Sequence, residues 1–281
     1  MKKLLAILLT LALSLSFTAA LADTVTIGVP NDTTNEARAL LLLQANGIIK
    51  LAMGSGIQAT VRDIVENPCN VEIVEIEAAQ LPVQLPDLDY AVINSNYAIS
   101  ADLNPVKDSL LLEGSYSAYG NILAVKEGAE ESDKVKALVA ALESKQVADF
   151  ISETYNGSVV STVENPTDGY DATVDYDALK GQKITVAASP TPHAEILKVA
   201  QEILAAKDVE LEIVEFTDYV QPNLVVDNAE IDANYFQHLP YLEDFNAENG
   251  TKLVSVSVIH VEPMGLYGGR QTTLDALGLS K

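Results

Sequence analysis

Thr24-Val-Thr-Ile-Gly-Val29 runs into Pro30-Asn31-Asp32 and then Asn35-Glu-Ala-Arg-Ala-Leu-Leu-Leu-Leu43. The first segment alternates and is rich in β-branched residues, which predicts a strand. The last begins an apolar-periodic helix expected from about Asn35 to Leu51. The same plan recurs further along: Lys183-Ile-Thr-Val-Ala187, then Ser189-Pro-Thr-Pro192, then a helix expected from about His193 to Ala206. In both places polar residues stand where a strand gives way to a helix. Free backbone N–H groups and the positive dipole end gather there, a setting suited to a carboxylate.

Outward from these two stretches the correspondence continues. Glu72-Ile-Val-Glu75 recurs as Glu212-Ile-Val-Glu215, and each is followed by Gln and Pro, at Gln80 and Pro82 or at Gln221 and Pro222. A short strand with an acidic opening closes each unit, Asp87-Leu-Asp-Tyr-Ala-Val-Ile93 and Glu230-Ile-Asp-Ala-Asn234. Each half reads strand, helix, strand, helix, strand, which predicts two parallel α/β lobes. Such lobes leave a crevice between the carboxyl ends of their strands, where ligands bind. The polar and aromatic residues at those ends are therefore the candidates. The first half offers Asn31, Arg38, Asn94, Asn96 and Tyr97. The second offers Thr191, His193, Tyr219, Asn223, Tyr235, Phe236, His238 and Tyr241.

The N-terminus has three parts: Lys2 and Lys3, an apolar run from Leu4 to Phe17, and the small-x-small triplet Ala20-Leu21-Ala22. This is the layout of a secretory signal peptide over residues 1–22, cleaved before Asp23. The run is too short for a spanning helix, which needs about 20 apolar residues. An exported protein, periplasmic or extracellular and soluble after cleavage, is expected. The net charge of −23 repels nucleic acid and anionic membrane, so neither is an expected partner. Cys69 is the only cysteine and can form no internal disulfide. No lipid-bearing cysteine stands near the cleavage site. The three histidines show no i, i+4 pairing and no cysteine support, so no metal site is expected.

Several longer blocks are recognisable. Phe216-Thr-Asp-Tyr-Val-Gln-Pro-Asn223, Asp232-Ala-Asn-Tyr-Phe-Gln-His238 with Pro240-Tyr-Leu-Glu-Asp-Phe245, and His260-Val-Glu-Pro-Met-Gly-Leu-Tyr267 closely resemble the methionine-binding lipoproteins of bacterial ABC importers, the NlpA family. So do residues 30–43, Ala91-Val-Ile-Asn94 and the segment ending Tyr119-Gly-Asn121. The resemblance implies a two-lobed, type II periplasmic-binding-protein-like fold with its ligand in the interlobe cleft. It also implies no enzymatic activity and no cofactor. A monomer is expected, with methionine as ligand and an ABC permease and its ATPase as partners. Another apolar amino acid or a methionine-containing dipeptide is the alternative ligand. An exported enzyme using His238 is a more distant alternative, since no nucleophile pairs evidently with that residue.

Two features depart from the family pattern. The lipobox cysteine is absent, and the block order is rotated. In the family the His-Ala-Glu and Tyr-Phe-Gln-His blocks precede the Asn-Asp-x-Thr-Asn-Glu block; here they follow it. Thr272-Thr-Leu-Asp-Ala-Leu-Gly278 resembles what normally precedes that block. A circular permutation is expected, with polar residues 157–181 joining the old termini as a surface linker. The first lobe then spans residues 23–112 and the second 113–270, with the tail 271–281 docking back on the first.

The resemblance places ligand contacts on Arg38, Asn94, Asn121, Tyr219, Phe236, His238 and Tyr241. Their chemistry suits an amino-acid zwitterion. Arg38 is a bidentate carboxylate partner, and Asn94 and Asn121 can both donate and accept. Tyr219, Phe236 and Tyr241 would wall in an apolar thioether tail. His238 reads as a neutral hydrogen-bonding wall.

Overall fold

A computed structural model describes residues 24–114 and 119–279. The expected signal peptide lies outside the described residues. The strands are β1 (Val25–Pro30), β2 (Lys50–Leu51), β3 (Ile64–Glu66), β4 (Val71–Ile76), β5 (Tyr90–Ile93), β6 (Ser109–Leu112), β7 (Gly120–Lys126), β8 (Val160–Ser161), β9 (Lys183–Ala188), β10 (Glu210–Glu215), β11 (Ala233–His238), β12 (Leu253–Val261) and β13 (Gly265–Gly268). They form two main sheets and a small ribbon of β2 and β3. One sheet has the order β4-β1-β5-β13-β6, the other β10-β9-β11-β7-β12-β8. The chain is thus the α/β, two-lobed molecule expected, each lobe built on one sheet.

The internal repeat is visible as geometry. In each sheet the first strand of the unit lies between the second and third, all parallel: β4-β1-β5 and β10-β9-β11. The acidic residue that opens the third strand has the same task twice. Asp89 Oδ2 accepts from the Thr26 N–H at 2.9 Å and its hydroxyl at 3.0 Å, and Asp89 N–H donates back to Thr26 Oγ1. Asp232 Oδ2 accepts from the Thr185 N–H at 2.8 Å and its hydroxyl at 3.1 Å, and its own N–H returns a bond to Thr185 Oγ1. Each bracket satisfies backbone donors at the start of a strand and fixes its register with its neighbour.

Helix Thr33–Ala45 starts where Asp32 caps the Asn35 N–H at 3.0 Å. It stops well short of Leu51, because Asn46 caps it and Gly47 turns the chain at φ +74°. Its N-terminal half is buried almost all round, including Asn35, Glu36 and Arg38, since it lies beneath the facing lobe. The counterpart helix, Glu195–Ala205, presents Ile196, Leu197, Ala200, Ile203 and Leu204 to the second core.

Two boundaries differ from expectation. The second lobe does not extend to residue 270. β13 pairs antiparallel with β5 and β6 of the first sheet, and Leu266 and Tyr267 are buried in that lobe. The return crossing therefore falls at Glu262–Met264. The tail carries Leu274 and Leu277 into the first core, and the Tyr90 hydroxyl donates to the Thr273 carbonyl at 2.6 Å. At Gly269 a Cβ would stand 2.0 Å from the Leu85 carbonyl oxygen, so the backbone itself is pressed against the first lobe. Residues 157–181 are more than a surface linker. β8 pairs with β12, and Val159, Val174 and Leu179 are buried in the second core. Three apolar side chains spaced along a polar stretch suffice to anchor it.

Candidate functional site

The carboxyl ends of β1, β5, β9 and β11 converge on one cavity between the lobes, the place where ligands of such folds bind. All seven residues singled out by the resemblance line it: Arg38, Asn94, Asn121, Tyr219, Phe236, His238 and Tyr241. Asn35, Ser95, Asn96, His193, Gln237 and Glu262 complete the lining.

Arg38 sits on the buried helix, three residues after Asn35 and so on the same face. Its guanidinium is already heavily engaged. Nε lies 3.0 Å from Glu113 Oε1 and Nη2 lies 2.5 Å from Glu113 Oε2. Nη2 also donates to the Glu262 carbonyl at 2.7 Å, and the group stacks over the Tyr119 ring at 4.5 Å. The bidentate edge expected for a ligand carboxylate thus faces Glu113, a partner 75 residues away that local reading missed. Nη1 remains as the donor not engaged with Glu113 or Glu262.

His238 caps helix Leu239–Asn249. Its Nδ1 accepts from the Tyr241 N–H at 3.3 Å, so Nε2 carries the proton and faces Asn35 Oδ1 at 3.4 Å. Burial, reinforced by the Arg38 charge, holds its pKa well below the ordinary value, so the ring is neutral. The aromatic wall is continuous. Tyr219 lies 5.9 Å from both Phe236 and Tyr241, ring centre to ring centre. The Tyr219 hydroxyl crosses the cleft to Asn96 Oδ1 at 2.7 Å. Burial raises the Tyr219 and Tyr241 hydroxyl pKa values, so both remain protonated.

The cavity floor holds a chain of buried polar groups that sequence spacing did not reveal. His193 Nε2 faces Asn121 Oδ1 at 2.9 Å and Glu262 Oε1 at 3.3 Å. His260 Nε2 meets the same Glu262 oxygen at 2.8 Å, and its Nδ1 bonds the Tyr235 hydroxyl. Burial pushes both imidazoles down to about 3 and raises the Glu262 carboxyl. The ligating atoms of His193, His260 and Glu262 lie within 4.8 Å of one another, a metal-like grouping absent from the linear spacing. Their facing edges already bond one another, so a cation would have to displace both Nε2 protons. Ser95 directs its hydroxyl to the Pro263 carbonyl at 2.5 Å rather than to a base, and so is not arranged as an activated nucleophile.

The remaining candidates stand outside the cavity. Tyr97 stacks on Tyr219 at 5.0 Å and donates to the Thr217 carbonyl. Asn223 is locked to Gln237 and Asn234. Tyr235 serves His260, Thr191 donates to Glu195, and Asn31 lies on an outer groove. Asn35 and Glu262, by contrast, belong to blocks readable in the sequence; what hid them was the absence of any local sign of their partners.

The chain is similar to known proteins over both halves of its sequence. The sequence model of the NlpA lipoprotein family matches residues 15–163 and 184–280. A probable D-methionine-binding lipoprotein of Vibrio cholerae is 45% identical over 140 residues, covering 50% of this chain and 52% of that protein. The membrane lipoprotein TpN32 of Treponema pallidum is 46% identical over 135 residues, covering 48% and 50%. The chain thus spans about half the length of the curated relatives it matches. Among solved structures, a nutrient-binding protein of Burkholderia cenocepacia bound to methionine is 47% identical. That match covers 50% of this chain and 61% of that chain, with a TM-score of 0.48.

Proposed function

Because the chain belongs to the NlpA lipoprotein family, we propose that it is the substrate-binding protein of an ABC importer, capturing methionine between its lobes and delivering it to a permease with its ATPase. The observation that carries this reading is the convergence of Arg38, Asn94, Asn121, Tyr219, Phe236, His238 and Tyr241 on one buried interlobe cavity. Arg38 Nη1 and the asparagine amides would hold the amino-acid head. Tyr219, Phe236 and Tyr241 would surround the thioether, which packs well against aromatic edges. Ligand touching both lobes at once stabilises the closed arrangement. Binding rather than catalysis is further supported by Ser95, whose hydroxyl is committed to a carbonyl. No helix among the described residues is long and apolar enough to cross a membrane, consistent with an exported binding protein.

The rotated block order is part of the proposal. A collinear alignment of a permuted chain with an unpermuted relative can follow only one half at a time. The half-length matches to relatives, beside a family match to both 15–163 and 184–280, support that arrangement.

Mass spectrometry under native conditions, followed by titration calorimetry with methionine and a panel of apolar amino acids, tests the reading. A methionine adduct, and tighter binding of methionine than of leucine or phenylalanine, is expected. Tighter binding of another amino acid would reassign the ligand, and no binding of any would overturn the function.

A further inference from the structure

Two asparagines on opposite walls of the cavity are held from behind by separate hydrogen-bond chains, and the chains fix their amides in opposite senses. The first begins at Asp32, whose Oδ1 accepts from both the Asn35 N–H at 3.0 Å and Asn35 Nδ2 at 2.9 Å. A carboxylate oxygen cannot donate, so Asn35 must turn its nitrogen to Asp32 and its oxygen away. That oxygen receives Asn94 Nδ2 at 2.8 Å and His238 Nε2 at 3.4 Å. Asn94 is therefore obliged to present its own oxygen to the cavity. Asn94 Oδ1 is buried and has no hydrogen-bond partner among the described residues, an arrangement costly to leave unfilled.

The second chain runs the other way. His193 Nε2 faces two acceptors, Asn121 Oδ1 and Glu262 Oε1, so it carries the proton and donates. Asn121 thus spends its oxygen on His193 and keeps its Nδ2 donors for whatever occupies the cavity.

We propose that Asn35 and His193 are positioning residues that set the polarity of the head-group pocket: Asn35 holds Asn94 Oδ1 for the ammonium, and His193 holds the Asn121 amide for the carboxylate. This rests on the amino-acid-binding reading and deepens it. The pocket distinguishes a zwitterion from a hydroxy acid by one oxygen that can only accept. A hydroxyl could still donate to it, but without the positive charge that strengthens the bond.

The test uses the mature full chain and three probes: methionine, its 2-hydroxy analogue lacking the ammonium, and its methyl ester lacking the carboxylate. In Asn35→Leu the Asn94 amide is free to turn. Methionine affinity should fall about tenfold or more while the hydroxy analogue falls less than about threefold, so the preference between them collapses. The preference for methionine over the ester should stay near that of the parent, because Asn121 is held by His193. Equal weakening of all three probes would overturn the proposal in favour of a merely structural Asn35. A measurement on the unaltered protein covers failure of the variants to fold. Side-chain amide NMR should show the Asn94 Nδ2 protons exchanging slowly with solvent both with and without methionine. Protection appearing only with methionine would mean that the amide donates to ligand, and would sink the proposal. If the parent binds none of the probes, the functional reading fails, while slow Asn94 exchange in the free protein still tests the Asn35–Asn94 pair.

Discussion

The Arg38 guanidinium meets the Glu113 carboxylate edge to edge, Nε 3.0 Å from Oε1 and Nη2 2.5 Å from Oε2. The same Nη2 holds the Glu262 carbonyl at 2.7 Å, and the Met264 N–H donates to Glu113 Oε2 at 3.1 Å. Residues 113 and 262–264 lie at the two passages of the chain between the lobes. One side chain of the first lobe therefore ties both crossovers together, next to the cavity.

That geometry gives Glu113 a measurable weight. Arg38 is 5% exposed and Glu113 18%, so removing the carboxylate strands a buried charge. Glu113→Ala should lower unfolding stability by about 3 kcal/mol. Glu113→Gln, which keeps one acceptor, should lose less. Urea unfolding of both variants checks this. Equal stability of Glu113→Ala and the parent would mean that the pair holds nothing.

Much of this architecture is legible in the sequence. The recurring strand–turn–helix, the Glu-Ile-Val-Glu pair and the acidic strand openings are local patterns, and two parallel α/β lobes follow from them. The 2-1-3 strand order of each half is set by pairing between segments and is visible only in the fold. The seven cavity residues could be named because long blocks carried them. What stayed hidden was non-local. Nothing near Arg38 announces Glu113, and nothing near His193 announces Glu262, because these pairs form only when distant segments fold together. The same holds for the small β13 strand: the four residues Gly265-Leu-Tyr-Gly268 have no period that says which sheet they will join.

Closure should depend on the Tyr219 hydroxyl, which bridges the cleft to Asn96 Oδ1 at 2.7 Å. Tyr219→Phe keeps the ring contacts with Phe236 and Tyr241 and removes only this bond. Methionine affinity should weaken by about fivefold, the equivalent of about 1 kcal/mol. Calorimetry reads it directly, and an unchanged affinity would show that the bridge contributes nothing to the closed form.

Stability should fall with acidification. His193 and His260 are held at about 3 by burial, against an unfolded value of about 6.5. Between those limits the unfolded chain binds more protons, so their contribution is full above pH ~6.5 and is lost as pH falls toward about 3. Glu262 opposes this, because burial raises its pKa and the folded chain holds its proton more readily. Its contribution is lost as pH rises through the folded value. His238, also held down by burial, adds to the imidazole side, and Asp32 and Glu36, raised by burial, add to the carboxyl side. The imidazole contribution, lost from pH ~6.5 downward, sets the positive slope expected below neutrality. Thermal melts from pH 7 to pH 4 should show a falling Tm, and His193→Asn should flatten the slope. An identical slope in that variant would remove His193 from the account.

The repeated Thr–Asp bracket makes the last prediction, and it separates a shared structural device from a functional one. Asp232 Oδ2 accepts from both the Thr185 N–H and its hydroxyl, and the Asp232 N–H donates back to Thr185 Oγ1. Asp232→Ala leaves the Thr185 N–H at the start of β9 without its acceptor, which should cost about 1–3 kcal/mol. Thr185→Val removes only the hydroxyl and should cost less. Because the two residues share the same bonds, the double variant should fall short of the sum of the singles by at least ~0.5 kcal/mol. Lys134 also reaches Asp232, at 3.2 Å, but both partners are about a third exposed, so that pair adds little. The bracket lies at the amino ends of the strands and the cavity at their carboxyl ends. Methionine affinity should therefore stay within about twofold of the parent in each variant that remains folded. A large loss of affinity without loss of stability would mean that the bracket communicates with the cleft, and that the strand ends are not independent.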